Sequence, residues 1–177
     1  MKLRILSLIF VVFFAVYLFS EEGSSYEKFL FVSVDTGYTV KGLLDGGIGI
    51  GGQIESANFR YVGISGNAGY VSVSTNFTMV TFGGALIFYP EGYGPYGYYI
   101  KLGCMYNSAT RLSNDIYIPG TLLTVPIQLG MKFVFDELWG LTFDPYLEGE
   151  LYIGLGGFYT GALTMKQSVG FRFGFTF

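Results

Sequence analysis

Bulky and small or charged residues alternate along the last stretch of the chain, from Met165 to Phe177. The bulky positions in this stretch include Phe171, Phe173, Phe175 and Phe177. A β-strand places alternate residues on opposite faces, so one face of this segment is apolar and aromatic while the other is small or charged. The pattern predicts a strand that ends with the chain, on phenylalanine.

The same alternation recurs upstream in four segments, at residues 47–55, 96–106, 123–133 and 141–153. Three more segments, at 27–36, 59–70 and 77–89, have high β propensity but are apolar on both alternating sets, so their faces are not assigned. The segments together predict about eight strands, each near the roughly 9 to 11 residues of a tilted transmembrane strand.

The residues on the less apolar face of these strands distinguish a membrane barrel from a soluble barrel. It is dominated by Gly, Thr, Ser, Gln and Tyr, whereas the water-facing side of a soluble barrel carries many charges. The chain is 51% hydrophobic and 13% charged, against roughly 25% charged for an ordinary soluble domain. An unpaired strand edge is costly in hydrocarbon, so the sheet must close, with the last strand against residues 29–34. The prediction is therefore an all-β, closed, antiparallel up-and-down transmembrane β-barrel.

Connection lengths predict which end of this barrel faces outward. Short turns are predicted at residues 55–58, 90–95 and 136–138, and longer connections at 66–76, 107–120 and 154–164. Bacterial barrels have short periplasmic turns and longer outer loops. We therefore expect the barrel to start in the periplasm and its longest outer loop to be 107–120.

The start of the chain has the form of an export signal. Two basic residues, Lys2 and Arg4, precede an apolar run from Ile5 to Phe19 that only Ser7 interrupts. This run is shorter than the roughly 20 residues of a spanning helix and fits a cleaved signal peptide. We predict a signal peptide over 1–20, cleaved near Ser20, and a barrel domain over 21–177. An uncleaved anchor followed by a periplasmic ligand-binding barrel is the alternative.

Aromatic residues cluster at the predicted strand ends. Beside the short turns lie Phe59, Tyr61, Tyr89, Tyr96, Phe135, Trp139 and Phe177, and the opposite rim is marked by Tyr38, Tyr70, Phe77, Tyr106 and Tyr117. Rings with a polar edge favour the membrane interface, so we interpret the first set as an interfacial girdle. Chance placement is the competing explanation, because 19% of the residues are aromatic.

Residues 26–177 resemble the small outer-membrane β-barrel superfamily, in particular the eight-stranded group of OmpA membrane domains, OmpX and OmpW. The resemblance depends on the strand pattern, the turn lengths and the ending Val169-Gly170-Phe171-Arg172-Phe173-Gly174-Phe175-Thr176-Phe177. It implies a bacterial outer-membrane location, contact with outer-membrane lipid, and recognition of the terminal aromatics by the barrel assembly machinery. It also implies a structural or surface-interaction role with a side-chain-filled lumen, or alternatively a narrow pore or small hydrophobic-compound channel similar to OmpW.

Charged residues on the predicted inward faces are the candidate site. They are Lys101, Lys132, Asp144, Glu148, Glu150, Lys166 and Arg172. Buried charges need partners, so we predict a lumenal salt-bridge network in which Lys132 lies close to Asp144 and Glu148 lies opposite Arg172. Separate water-filled pockets around each charge are the alternative.

The composition argues against several other functions. A Glu148 and Glu150 pair could divide acid and base roles, but a lumen-lining strand gives the same spacing. The chain has no histidine, on which the outer-membrane enzymes of this size class depend, so we expect no enzyme, cofactor or metal site. With 10 basic and 13 acidic residues, no nucleic-acid partner is expected. A host or surface ligand stays open.

Overall fold

The computed structural model describes residues 30–44, 46–57, 61–73, 76–92, 94–113 and 115–177. The predicted signal peptide over 1–20 lies outside the described residues, as do residues 21–29 of the predicted barrel domain.

Eight antiparallel strands form a closed barrel in which each strand pairs with its neighbours in the chain. They are β1 (Leu30–Asp35), β2 (Ile48–Ser56), β3 (Val62–Val73), β4 (Phe77–Phe88), β5 (Gly97–Ser113), β6 (Ile116–Phe135), β7 (Leu141–Gly157) and β8 (Leu163–Thr176). One α-helix, α1 (Thr36–Leu44), follows β1, and a 3₁₀ turn, Asp136–Leu138, joins β6 to β7. Neither of these two helices is long and apolar enough to cross a membrane. The predicted fold class is confirmed.

The barrel closes between its first and last strands. β1 pairs with β8 from Phe31 opposite Thr176 to Asp35 opposite Arg172. The backbone of Leu30 exchanges hydrogen bonds of 3.1 and 2.8 Å with that of Phe177. Closure therefore follows the predicted pairing. Closure also brings the start of β1 and the end of β8 to the same end of the barrel, which we call the terminal end. The opposite end lies beside α1, and we call it the helix end.

The two faces of the wall differ sharply. In the part of β8 nearest the terminal end, from residue 170 onward, Phe171, Phe173 and Phe175 are exposed on the outside. Arg172, between them in the sequence, is buried in the lumen. Across the barrel the exposed outer residues are largely Val, Ile, Leu and Phe, whereas the buried inner ones include six charged residues: Asp35, Glu55, Lys101, Lys132, Asp144 and Arg172. This alternation follows directly from the period-two sequence pattern.

The predicted long connections are wrong. Residues 107–120 belong mostly to strands, because β5 continues to Ser113 and β6 begins at Ile116. The connections predicted at 66–76 and 154–164 also shrink, since β3 runs to Val73 and β7 to Gly157. The Ser, Thr, Asn and Pro residues here favour turns locally, but pairing between neighbouring strands overrides that preference. Pro119 is tolerated because it pairs with β5 only, just beyond the C-terminal end of β7 at Gly157.

Helix α1 is the element that the sequence pattern does not predict. It packs against the inner side of β2 and β3, where Gly49, Gly51 and Gly69 leave room for it. A Cβ at Gly51 or at Gly69 would overlap the Tyr38 ring, and one at Gly49 would overlap the Tyr38 carbonyl. These lumenal glycines therefore accommodate a helix inside the barrel.

Candidate functional site

Arg172 is the centre of a buried polar cluster in the lumen. Its Nε donates to Asp35 Oδ2 at 2.9 Å and its Nη1 to Asp144 Oδ2 at 3.0 Å. The same guanidinium also donates to Gln128 Oε1 at 2.7 Å and to the Tyr99 hydroxyl at 3.1 Å. Arg172 is 1% exposed. A planar guanidinium with five donors suits this arrangement, in which one side chain joins four strands.

Lys132 forms a second cluster nearer the terminal end. Its Nζ pairs with Glu55 Oε2 and donates to the Tyr89 hydroxyl at 2.7 Å, while that hydroxyl donates to the other oxygen of Glu55. The ammonium also lies 4.8 Å from the centroid of the Phe31 ring and 5.0 Å from that of Tyr99. Both charges are fully buried, so charge pairing and ring contacts replace their hydration.

A third buried cation, Lys101, has no carboxylate partner among the described side chains. Its Nζ donates to the amide oxygens of Gln53 and Asn67, the latter at 2.9 Å, and Gln53 donates in turn to Glu55 at 2.8 Å. The described buried charged residues are therefore three basic ones and three acidic ones: Lys101, Lys132 and Arg172, with Asp35, Glu55 and Asp144. We call these six residues, with Tyr89 and Tyr99, the plug.

Aromatic rings close the remaining space in the plug. A Cβ at Gly130 would overlap the Tyr99 ring, and one at Gly170 would overlap the Tyr146 ring. The Tyr99 hydroxyl donates to Asp144 and the Tyr146 hydroxyl donates to Asp35, both at 2.7 Å. Glycine and tyrosine therefore interdigitate across the lumen, and the hydroxyls satisfy the buried carboxylates.

Between the plug and the helix end lies a cavity of about 490 Å³. Its lining combines polar groups such as Asn107 and Thr124 with the apolar side chains of Met79, Met105 and Pro126. This volume is within the range of about 300 to 1,000 Å³ typical of small-ligand sites. The lumen is thus divided into a filled half and a hollow half.

Two carboxylates face this cavity from β7. Glu148 accepts hydrogen bonds from Gln128 and, at 3.3 Å, from Ser168, whereas Glu150 accepts one from the Tyr152 hydroxyl. Neither forms an ion pair with a described side chain. Lys166 lies opposite Glu150 in the strand register, but its ammonium lies over the Tyr152 ring, 5.5 Å from the centroid.

The seven charged residues named from the sequence all lie on lumenal positions, but their partners differ from those predicted. Arg172 lies opposite Asp144, and Glu148 lies opposite Ser168, so the predicted Glu148–Arg172 register is wrong by four residues. Lys132 pairs with Glu55 rather than with Asp144. The salt-bridge network joins Arg172, Asp35 and Asp144 in one group and Lys132 and Glu55 in another.

One member of the predicted girdle is also wrong. Tyr89 is fully buried in the plug rather than placed at an interface, because its hydroxyl is held by Glu55 and Lys132. At the other end, Tyr38 packs on lumenal glycines and Phe77 packs against Phe158. Trp139, in contrast, is 89% exposed beside the turn after β6, and Tyr96 is half-buried.

Sequence reasoning missed Asp35 and Glu55 as members of the site. Asp35 closes β1, whose segment is apolar on both alternating sets. Glu55 stands where the predicted strand 47–55 meets the predicted turn 55–58, whereas β2 continues to Ser56. The one available signal was the alternation of Gln53 and Glu55 with Ile54, which places both polar side chains on the lumenal face.

Comparison of the chain with protein families, with curated proteins and with solved structures finds no match.

Proposed function

We propose that this chain is a bacterial outer-membrane β-barrel with a structural or surface-interaction role and a lumen closed by the plug. The observation that carries the proposal is the inverted distribution of polarity. Val34, Ile54 and Phe82 are among the many large apolar side chains exposed on the outer wall, while Arg172 and Lys132 are buried inside. An apolar surface of this extent suits lipid, since soluble monomers rarely expose patches above a few hundred Å².

The chain's termini fit the same proposal. Residues 1–19 have the charge and length pattern of an export signal. At the other terminus, Phe171, Phe173, Phe175 and Phe177 are all exposed on the outer face. We propose that these four rings contact lipid and form the signal read by the barrel assembly machinery, as the resemblance to OmpA membrane domains and OmpX implies. The role needs no catalytic residue and no cofactor.

A narrow pore or a channel for small hydrophobic compounds, similar to OmpW, is the second candidate. The cavity of about 490 Å³ favours it, because an entirely filled barrel would have no such space. The plug argues against conduction, since Arg172, Lys132 and Tyr89 are each 3% exposed or less.

Refolding residues 21–177, without the predicted signal peptide, tests the proposal. We expect the refolded protein to migrate differently in detergent gels before and after heating, because a closed barrel resists unfolding by detergent. In planar bilayers we expect no stable conductance steps, with protein-free bilayers and heat-denatured protein as controls. A chain that stays soluble without detergent would overturn the membrane placement, and stable steps would favour the pore.

A further inference from the structure

The wall of the barrel is interrupted where β1 ends, at Asp35, on the side of the helix end. β1 pairs with β8 only as far as Asp35 opposite Arg172, and it pairs with β2 only as far as Val34 opposite Gly52. Beyond these points the chain turns inward as α1. Residues 163–169 of β8, toward the helix end, therefore pair with β7 alone among the described strands. Residues 163–169 are correspondingly exposed on both faces, whereas the rest of β8 alternates between buried and exposed.

The cavity reaches this interruption. It is lined by lumenal residues but also by Gly52, Gln167 and Val169, which belong to the outward-facing sets of β2 and β8. At Gln167 and Val169 the wall has no β1 partner, so the cavity borders the part of β8 that is paired on one side only. Val40 of α1 lines the same space, and the Thr36 hydroxyl donates to the Phe171 carbonyl at the margin toward the terminal end. We call the opening between α1 and β8 the side gap.

The charges around the cavity favour a cation. The cations of the plug are matched by its carboxylates, which leaves Glu148 and Glu150 against Lys166 alone among the described lining charges. Tyrosine faces already hold cations in this lumen: Lys166 lies over Tyr152, and the Arg172 guanidinium carbon is 4.0 Å from the Tyr146 centroid. Carboxylates beside aromatic faces are suited to an ammonium group.

The rest of the lining favours an alkyl chain. Val40 of α1 and Val169 of β8 line the cavity where it meets the side gap, and both are apolar and exposed. Val169, 70% exposed, continues the apolar lining out through the side gap. A ligand whose polar head group lies in the cavity and whose alkyl chain passes out through the side gap is an amphiphile, and it could enter from a surrounding membrane.

We infer that the cavity binds a cationic single-chain amphiphile, with its ammonium group at Glu148 and Glu150 and its alkyl chain leaving through the side gap. The inference rests on the proposed membrane placement, because only a barrel that spans a bilayer has lipid beside this gap.

Binding of labelled decyltrimethylammonium and decyl sulfate to the protein in phosphatidylcholine nanodiscs tests the inference, with empty nanodiscs as the background. We expect the cation to bind about tenfold more tightly than the anion. The double variant E148Q/E150Q should lose this preference. Equal binding of the two probes to the unmodified protein, or a preference unchanged in E148Q/E150Q, would overturn the assignment of the ammonium site.

The side gap is tested by V169W, which places a large ring in the opening, and by the matched control V80W on the outer face of β4. V169W should weaken binding of decyltrimethylammonium several-fold and leave tetramethylammonium, which has no chain, unaffected. Equal effects of V169W and V80W would overturn the lateral route. Each variant is first checked for heat-dependent mobility: loss of the shift in the unmodified protein contradicts the proposed function, whereas a normal shift without selective binding contradicts this site alone.

Discussion

At the scale of single residues, one guanidinium organises the lumen. Arg172 bonds to Asp35 and Asp144 and is itself 1% exposed, so removing it leaves two buried carboxylates without their cation. We expect Arg172→Leu to lower the free energy of unfolding by about 3 to 5 kcal/mol. Urea titration in lipid vesicles, followed through the fluorescence of the single tryptophan, measures this loss.

Lys166→Leu is the matched control for this prediction. Lys166 is exposed and forms no ion pair with a described side chain, so its removal should cost about 1 kcal/mol or less. Equal losses for the two variants would contradict the central role of Arg172.

Alternation in the sequence predicts which face each of these charges occupies, because parity along one strand is local information. Their partners are not predictable in the same way. Arg172 reaches β1, β5, β6 and β7 at once, through Asp35, Tyr99, Gln128 and Asp144. Contacts across a lumen depend on the register of every intervening strand pair, and a shift of two residues keeps parity while changing every partner.

At the scale of elements, α1 forms where its sequence gives little support for a helix. Thr36–Leu44 contains two glycines and three β-branched residues, all of which disfavour helix. Its position is instead fixed by tertiary packing, with Tyr38 over Gly51 and Gly69. Strands with strict alternation, such as β8, are predictable from sequence. Helix α1 is not, because it is stabilised by packing against glycines that are distant in the chain.

The packing of Tyr38 on Gly51 makes a prediction about α1. Gly51→Ala should lower the free energy of unfolding by about 1 to 3 kcal/mol, because the new methyl group would overlap the Tyr38 ring. In a Tyr38→Ala background the same substitution should cost much less, which a double-mutant cycle in urea detects. Gly66→Ala is the control, since a Cβ there meets no atom within 4 Å. An equal cost of Gly51→Ala in both backgrounds would show that α1 does not pack in the barrel.

At the scale of the whole molecule, the barrel has two unlike ends. The terminal end is filled by the plug and surrounded by exposed outer rings that include Phe88, Tyr98, Phe135, Trp139 and Phe177. The helix end carries the cavity and the side gap. A ring of aromatics at one end is the arrangement expected where a barrel wall meets a membrane interface, so the proposed membrane placement predicts that this end lies at the interface.

Trp139 reports this depth directly, because it is the only tryptophan of the chain and is 89% exposed. In vesicles whose lipids carry a quencher either near the headgroup or deep in the acyl chain, we expect Trp139 fluorescence to be quenched mainly by the shallow label. The control is W139F/L129W, which moves the tryptophan up the outer face of β6 to a position where the exposed side chain is Leu129. Its fluorescence should be quenched mainly by the deep label, since each residue advances a strand by about 3.3 Å. The same depth for both tryptophans, or quenching of both by aqueous acrylamide alone, would contradict a bilayer around this wall.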